Sequence, residues 1–326
     1  MRGYVAQSLK PVPPAMSVTR TRPAPAALAI DHLTPGAIAA YVTLCLVWGS
    51  TFLAVRIAVE TLPPFTLSGV RSLTAGTILA AIALARGAAL PTRAALISAA
   101  VSGMLMFSCS QAVLAWAETR VPSGLAAVMA CTVSLFTPVV SWLAGASPRP
   151  GLVASLGLMA GFAGVAVLVP SGGPHAIDGM AVTALLISSL AWSFGAALAR
   201  RVPPARSPLL GSGLQLLCGG LVTVCIASIN GEWQPAALAH ASTRSVLAML
   251  YLTGFGSLLS VACFGWLVQI WRPERLSTYA YINPVIALAL GATFAGEAVS
   301  PRELLATLFI LSAVALVMVS MRTQNK

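Results

Sequence analysis

The feature that most constrains this fold is a series of apolar runs about 20 residues long, separated by short segments that hold most of the charge. A helix needs about 20 mostly apolar residues to cross a bilayer. Within a bilayer every backbone polar group must be hydrogen-bonded inside the protein, which leaves helical bundles and closed barrels. Barrel strands alternate apolar and polar residues, and these runs do not. The sequence therefore predicts an all-α polytopic membrane protein.

The length requirement predicts ten transmembrane helices. Their predicted bounds are 36–58, 65–85, 95–116, 122–144, 151–170, 179–199, 208–229, 245–269, 277–295 and 302–321. Only 8% of residues are charged, against about 25% in soluble domains, which excludes a soluble globular class. Residues 1–34, rich in Pro, Ala and Arg, are predicted to be a disordered cytoplasmic tail or an over-extended gene start.

The distribution of Lys and Arg predicts the orientation of the helices. With the N-terminus inside, the cytoplasmic segments hold 14 of these residues and the external segments hold three. Cytoplasmic loops carry the excess of positive charge, so both termini are predicted to be cytoplasmic. The same rule explains the net charge of +11 without a nucleic-acid partner. The expected partners are the lipid bilayer and a small-molecule substrate.

A polar patch inside the first span returns inside the sixth. The first copy is Trp48–Thr51, and the second begins at Trp192 and Ser193. Each unit then contains five spans, and an odd number inverts the second unit relative to the first. Inverted repeats are typical of transporters with a site at the midplane between the halves. The sequence predicts two inverted five-helix repeats, over residues 35–172 and 178–322.

Several short motifs occur in order along these spans. They are WGSTF at 48–52, LPP at 62–64, GVR at 69–71, LTAG at 73–76, AETRVPSGLAAV at 117–128, LAWSFG at 190–195, STYAYINPV at 277–285 and AGEAVS at 295–300. Their order and spacing over residues 36–321 resemble the EamA-type families of the drug/metabolite transporter superfamily. The resemblance implies a carrier that exports a metabolite or drug from the cell. One departure is Gly145-Ala146-Ser147 in the first half, where family members often carry Gly-Glu, as Gly296-Glu297 does in the second.

Ten residues within or beside the spans are candidates for a substrate cavity. They are Trp48, Ser50, Thr51, Arg71, Gln111, Glu118, Trp192, Ser193, Tyr281 and Asn283. Polar groups at membrane depth are costly and usually functional. The patch around Gly49 could instead serve helix packing through small residues, and Arg71 could either hold an anionic group or brace the cavity. Pro284 is predicted to break span nine and to free carbonyls upstream.

The acids bear on energy coupling. Glu118 is the main candidate to bind a coupling proton or a substrate ammonium, and Glu60 and Glu297 are weaker candidates for the proton. The alternative for Glu118 is a solvated charge at a loop edge. Arg56 is predicted to reach the interface, and it precedes Glu60 by the four residues of a helical ion pair. Facilitated diffusion fits the sequence equally well.

No phosphate-binding GxxxxGK[ST] string occurs, and the six cysteines are predicted to be small core residues, so no cofactor and no metal are expected. Gly157 and Gly161 form a ridge of small residues that packs within the unit or between protomers of a homodimer. The leading hypothesis is a carrier with a central cavity between the repeats and alternating access. The alternatives are a membrane-embedded enzyme, which needs His clusters or acid pairs that the spans lack, and a structural subunit of a membrane complex.

Overall fold

The computed structural model describes residues 33–145, 149–168, 178–201, 207–233, 239–271, 276, 278–297 and 300–324. The predicted tail over residues 1–34 lies almost wholly outside the described residues. The helices are α1 (Pro35–Ala58), α2 (Pro64–Ala85), α3 (Arg93–Ala117), α4 (Ser123–Leu143), α5 (Leu152–Leu168), α6 (Gly179–Arg201), α7 (Pro208–Ile229), α8 (Thr243–Tyr251, Leu252–Leu259 and Ser260–Ile270 in succession), α9 (Tyr279–Phe294) and α10 (Pro301–Gln324). Every helix begins and ends within three residues of a predicted span.

Among the described residues, seven helices are long and apolar enough to cross a membrane, namely α1 to α4 and α6 to α8, and α5 and α9 are apolar but shorter. The described residues form helices and connections without strands. The all-α class is therefore confirmed, and the helices agree with a polytopic membrane protein. The count of ten spans stays a prediction.

Proline sets the start of two corresponding helices. Pro64 and Pro208 each occupy the first helical position of a helix of 22 residues. A proline is tolerated there because the first backbone N–H has no partner within the helix, and its fixed φ angle suits the helix. The two starts lie 144 residues apart (208 − 64), which is also the spacing between Trp48 and Trp192.

Glycines bring α2 and α7 into direct backbone contact. A Cβ added to Gly76 would lie 2.9 Å from the carbonyl oxygen of Gly213, and one added to Gly213 would lie 3.1 Å from the carbonyl oxygen of Gly76. Small residues let helices approach closely in lipid, where association depends on van der Waals packing. This contact joins the two predicted halves of the chain.

The ridge of small residues on α5 packs inside the same chain. A Cβ on Gly157 would lie 2.9 Å from Val317 Cγ2, and one on Gly161 would lie 3.2 Å from Ala313 Cβ, both on α10. Packing within the unit is confirmed only for Gly161, which also meets Leu135 of α4, because α10 belongs to the other predicted unit. The homodimer through Gly157 and Gly161 stays a prediction, and it would need a different surface from the one that α10 covers.

The most extensive helix pairs are preserved when α1 to α5 are exchanged for α6 to α10. Helix α1 packs on α8 and α9, and α6 packs on α3 and α4; α2 packs on α7, α4 on α9 and α5 on α10. Helices α3 and α8 each contain a π-helical segment, Met104–Ala112 and Leu252–Leu259, whose starts lie 148 residues apart (252 − 104). A π-helical segment inside an α-helix is rare and often marks a functional site.

Pro284 does not break α9, and the predicted break is wrong. The helix continues through Pro284 from Tyr279 to Phe294. Proline removes the hydrogen bond to the carbonyl four residues earlier, which here belongs to Ala280. The Cys131 thiol lies 3.2 Å from that oxygen and donates to it, so a partner from α4 replaces the lost bond. The interruption falls instead in α4, between Ala130 and Val133.

The cysteines only partly match the prediction of core positions. Cys45 and Cys131 are buried, Cys109, Cys218 and Cys263 are half-buried, and Cys225 is exposed on α7. An exposed apolar position on a membrane helix faces lipid at little cost, so the prediction is wrong for Cys225.

Candidate functional site

A cavity of about 250 Å³ lies between helices of both halves of the chain. Eight helices line it, α1 to α4 and α6 to α9. The lining residues are Trp48, Thr51, Phe52, Val55, Arg71, Phe107, Ser110, Gln111, Leu114, Ala127, Ala130, Cys131, Val133, Ser134, Ser188, Ser189, Trp192, Leu216, Gly256, Ser257, Val261, Tyr279, Ala280 and Asn283. The two π-helical segments both contribute to this wall, through Phe107 and Ser110 in α3 and Gly256 and Ser257 in α8.

Six of the ten predicted cavity residues line this space, and four do not. The six are Trp48, Thr51, Arg71, Gln111, Trp192 and Asn283. Ser50 is engaged in packing, since its hydroxyl lies 2.6 Å from that of Tyr251 and donates to the Val47 carbonyl. Ser193 donates to backbone carbonyls of α4 and α6. Tyr281 packs against the apolar core between α3, α4, α6 and α10.

The patch around Gly49 turns out to serve both packing and the cavity. A Cβ on Gly49 would lie 2.7 Å from the Ile286 side chain, so this glycine admits α9 close to α1. Trp48 and Thr51, on either side of it in sequence, face the cavity. Helical geometry allows this, because adjacent positions point about 100° apart.

Aromatic rings form much of the apolar wall. Trp48 packs edge-on against Tyr279, with ring centroids 4.8 Å apart, and Trp192 packs against Phe107 at 6.2 Å. Tyr279 and Phe107 line the cavity but are not among the ten predicted residues. Tyr279 had a detectable signal, since it lies four residues before Asn283 and therefore on the same helical face. Phe107 had none, because it is one apolar residue among many.

Arg71 is the one charged residue in the described lining of the cavity. Its Nε donates to the Ser257 hydroxyl at 3.1 Å, which joins α2 to the π-helical segment of α8. Guanidinium has five N–H donors, and within the described ranges this is the only hydrogen bond of the side chain. Four donors and the positive charge therefore remain available beside the cavity.

The cavity also presents an unsatisfied acceptor. The Asn283 amide oxygen is buried and lacks a hydrogen-bond partner within the part of the chain that the structure describes. Buried polar atoms nearly always have a partner, and an exception calls for a water or a ligand. The cavity thus offers donors at Arg71 and an acceptor at Asn283, between aromatic walls.

Glu118 lies outside the cavity wall, one residue beyond the end of α3. It is fully buried, at 0% exposure, and neither carboxyl oxygen has a hydrogen-bond partner among the described residues. Burial raises the pKa of the Glu118 carboxyl well above its ordinary value; Glu297 raises it further, whereas Arg56 and Arg71 lower it. The alternative of a solvated charge at a loop edge is therefore wrong.

Arg56 and Glu60 do not form the predicted pair. Arg56 is half-buried and donates to the backbone carbonyl of Glu118 at 2.6 Å. Glu60 instead lies 3.6 Å from Arg244 in an exposed ion pair. The short connection that follows α3 thus brings the Glu118 carbonyl to Arg56, and the prediction that Arg56 reaches the interface stays a prediction.

Two further carboxylates hold helix N-termini at the same end of the bundle. Glu297 accepts hydrogen bonds from the Ser123 backbone N–H at 2.8 Å, the Ser123 hydroxyl at 2.9 Å and the Gly124 N–H at 3.3 Å. Glu232 accepts one from the Thr66 N–H at 2.7 Å. A negative charge is favourable at a helix N-terminus, where N–H groups lack partners. Each carboxylate follows a helix of the second half and binds a helix of the first.

Comparison with known proteins gives four matches. The sequence model of the EamA-like transporter family matches residues 34–169 and again residues 179–319. The chain is 36% identical over 275 residues to a protein of Escherichia coli (strain K12) named uncharacterized inner membrane transporter YedA, covering 84% of this chain and 88% of that protein. It is 29% identical over 279 residues to protein PecM of Dickeya dadantii, covering 83% and 88%. A solved structure named only as a crystal structure of a protein matches with a TM-score of 0.58 at 20% identity, over 88% of this chain and 99% of the other, and so shares its fold.

Proposed function

We propose a carrier function for this chain, which belongs to the EamA-like transporter family. The resemblance seen in its motifs is confirmed. Relatives named as transporters, together with several helices able to span a membrane, make it a multi-pass inner-membrane transporter. Our proposal is that it moves a small organic solute by alternating access, and the observation that carries it is the cavity lined by both halves.

The proposed carrier has ten spans in two inverted repeats of five. Three observations support this arrangement: the family model matches twice, the most extensive helix pairs are preserved when the halves are exchanged, and π-helical segments recur in α3 and α8. The distribution of Lys and Arg supports cytoplasmic termini, which would place Glu118 towards the outside. Export remains what the resemblance implies.

The proposed solute is a small organic anion with an apolar or aromatic body. Arg71 would hold its carboxylate, sulfonate or phosphate, because guanidinium binds such groups through paired N–H donors. Trp48 and Trp192 offer aromatic surface, and Asn283 can accept a hydrogen bond from the solute. A volume of about 250 Å³ lies just below the usual range of about 300–1,000 Å³ for ligand pockets, which favours metabolites over larger drugs.

Transport by reconstituted vesicles tests this proposal. The probes are benzenesulfonate and benzyltrimethylammonium, which carry opposite permanent charges on similar rings. We expect flux of the anion only. Arg71→Gln should lower that flux about tenfold or more, since a charge-assisted hydrogen bond contributes about 1.5–3 kcal/mol.

Arg244→Gln serves as the matched control, because Arg244 forms an exposed ion pair at 3.6 Å and such pairs contribute little. Equal flux of both probes, or undiminished flux in Arg71→Gln, contradicts the assignment of an anion to Arg71. Absence of flux for every member of a broad metabolite panel contradicts the carrier itself.

A further inference from the structure

We propose that Glu118 takes up and releases the coupling proton, and that proton binding there and anion binding at Arg71 favour each other, so that the protein cotransports a proton with its solute. This inference rests on the proposed carrier function. The reaction is the addition of one proton from water to the Glu118 carboxylate and its later release to water, and no bond of the solute changes.

The surroundings of Glu118 suit a proton site better than a structural role. Its carboxyl group is fully buried and has no hydrogen-bond partner in the described part of the chain. A structural carboxylate has donors around it, as Glu297 has with three. A buried carboxylate without donors is poorly solvated and favours its neutral form. The closed environment also fits a coupling site, which must shield its proton from both solutions while the carrier changes conformation.

The charges that face Glu118 come from every side of it. Arg56 of α1, Arg71 of α2 and Glu297 after α9 all act on its carboxyl group. Helix α6 also packs against the end of α3, and the acid that precedes it, Asp178, pairs with Arg120 at 3.4 Å. Apart from this neutral pair, two arginines and two carboxylates, Glu118 included, share the region, and their charges cancel when Glu118 is ionised.

An anion on Arg71 changes this balance by one unit. The anion leaves these arginines and carboxylates with a net negative charge in a poorly solvated region. Protonation of Glu118 then restores neutrality. A negative charge near a carboxylate disfavours its ionised form. By linkage, the protonated protein must bind the anion more tightly by the same factor. A carrier in which proton and anion bind together in this way moves them in the same direction.

Infrared spectroscopy of the protein in lipid nanodiscs tests the proton site without any solute. The readout is the carbonyl stretching band of a protonated carboxyl group, followed over a pH titration. We expect Glu118→Gln to remove a band whose midpoint lies above the ordinary value of about 4.3 for Glu. Glu60→Gln is the matched control at the same end of the bundle, and it should leave that band in place.

Substitution of Arg71 tests the linkage. Arg71→Gln removes the positive charge that a bound anion would neutralise. It should therefore raise the midpoint of the Glu118 titration by about one pH unit. Arg71→Lys keeps the charge and should keep the midpoint close to that of the wild type. If Glu118→Gln removes no titrating band, or if Arg71→Gln leaves the midpoint unchanged, the proposal is wrong.

Vesicles with an imposed pH gradient then test cotransport. Benzenesulfonate stays anionic at all relevant pH values, so its accumulation cannot arise from passage of a neutral acid through the lipid. The wild type should accumulate benzenesulfonate on the alkaline side. Glu118→Gln should still transport it, but the ratio of its concentrations across the membrane should fall about tenfold. Accumulation by Glu118→Gln equal to the wild type overturns the proposal. Absence of benzenesulfonate flux in the wild type counts against the proposed solute, whereas the infrared titration still decides the proton site.

Discussion

The two ends of the bundle are closed by different chemistry. At the Glu118 end, defined by Glu118, Glu232 and Glu297, carboxylates of one half bind helix N-termini of the other. At the Tyr41 end, defined by Tyr41, Leu44, Leu267, Trp271 and Leu276, closure comes from apolar and aromatic packing. There the Tyr41 ring lies 5.2 Å from that of Trp271, and the Tyr41 hydroxyl bonds to that of Thr278. One end thus depends on hydrogen bonds to carboxylates, and the other depends on buried apolar area.

The difference arises within otherwise matching turns. Gly145 and Gly296 both adopt positive φ, at 67° and 64°, a conformation that glycine tolerates and side chains rarely do. The second turn continues to Glu297, whereas the first continues to Ala146 and Ser147. Glu118 lacks a counterpart as well, because the residue 148 positions later (266 − 118) is Trp266. The two glycines therefore match, whereas only the second of these turns continues to an acid.

Removal of Glu297 is expected to change the difference between the two ends the most. Glu297→Ala deletes the acceptor of three hydrogen bonds, and hydrogen bonds to charged groups contribute about 1.5–3 kcal/mol each. We expect the Glu118 end to open, with alkylation of Cys131 from that side rising at least about 100-fold. Cys131 is a suitable reporter because it is buried and lines the cavity.

The measurement uses a membrane-impermeant maleimide on a protein that keeps Cys131 as its single cysteine. Glu60→Ala at the same end is the control, since it deletes only an exposed ion pair, and its labelling should match the parent. A Glu297→Ala rate equal to that of the parent would mean that this carboxylate does not hold the end closed.

A change of pH should affect the Glu118 end through Glu118. Burial raises the pKa of Glu118 in the closed conformation, so the closed form binds more protons than an open form in which the carboxyl is solvated. Low pH therefore favours closure, and opening increases as pH rises, by at most about tenfold per pH unit for one proton. The readout is the rate of Cys131 alkylation at the Glu118 end relative to that of Glu118→Gln at each pH, which cancels the pH dependence of the thiol. A constant ratio across pH would contradict this prediction.

The smallest expected effect concerns the Tyr41 end. Tyr41→Phe keeps the ring against Trp271 and removes only the hydroxyl that bonds to Thr278. A hydrogen bond between neutral groups contributes about 1 kcal/mol, which corresponds to about a fivefold rise in Cys131 alkylation from that side. The rise should be independent of pH. Tyr41→Ala, which also removes the ring, should give a larger increase, and equal effects of the two variants would assign closure to the hydroxyl rather than to the ring.

Much of the fold could be predicted from the sequence, because a membrane helix is a local property of the chain. Mean hydropathy over about 20 residues fixes where a helix can lie, and the bounds of all the labelled helices follow it within three residues. Proline at the first helical position and glycine after the last are equally local signals. The order of the motifs was sufficient to identify the family.

The candidate site could be predicted only in part. Six of ten residues line the cavity, whereas Ser50, Ser193 and Tyr281 pack against other helices. The sequence gives the depth of a residue along a helix. It does not give its direction, because a helix that is apolar on all sides has no polar face to mark the solvent.

The sequence by itself determined the helices, their order, the family and the charge asymmetry between loops. Only the tertiary structure decided that Glu118 is buried, that Glu297 binds Ser123 at a separation of 174 residues, and that the carbonyl freed by Pro284 takes its hydrogen bond from Cys131. These contacts depend on how helices rotate and approach one another. In lipid that rotation is set by close packing between small residues such as Gly49, Gly76 and Gly213, and packing of this kind exists only once the partner helix is in place.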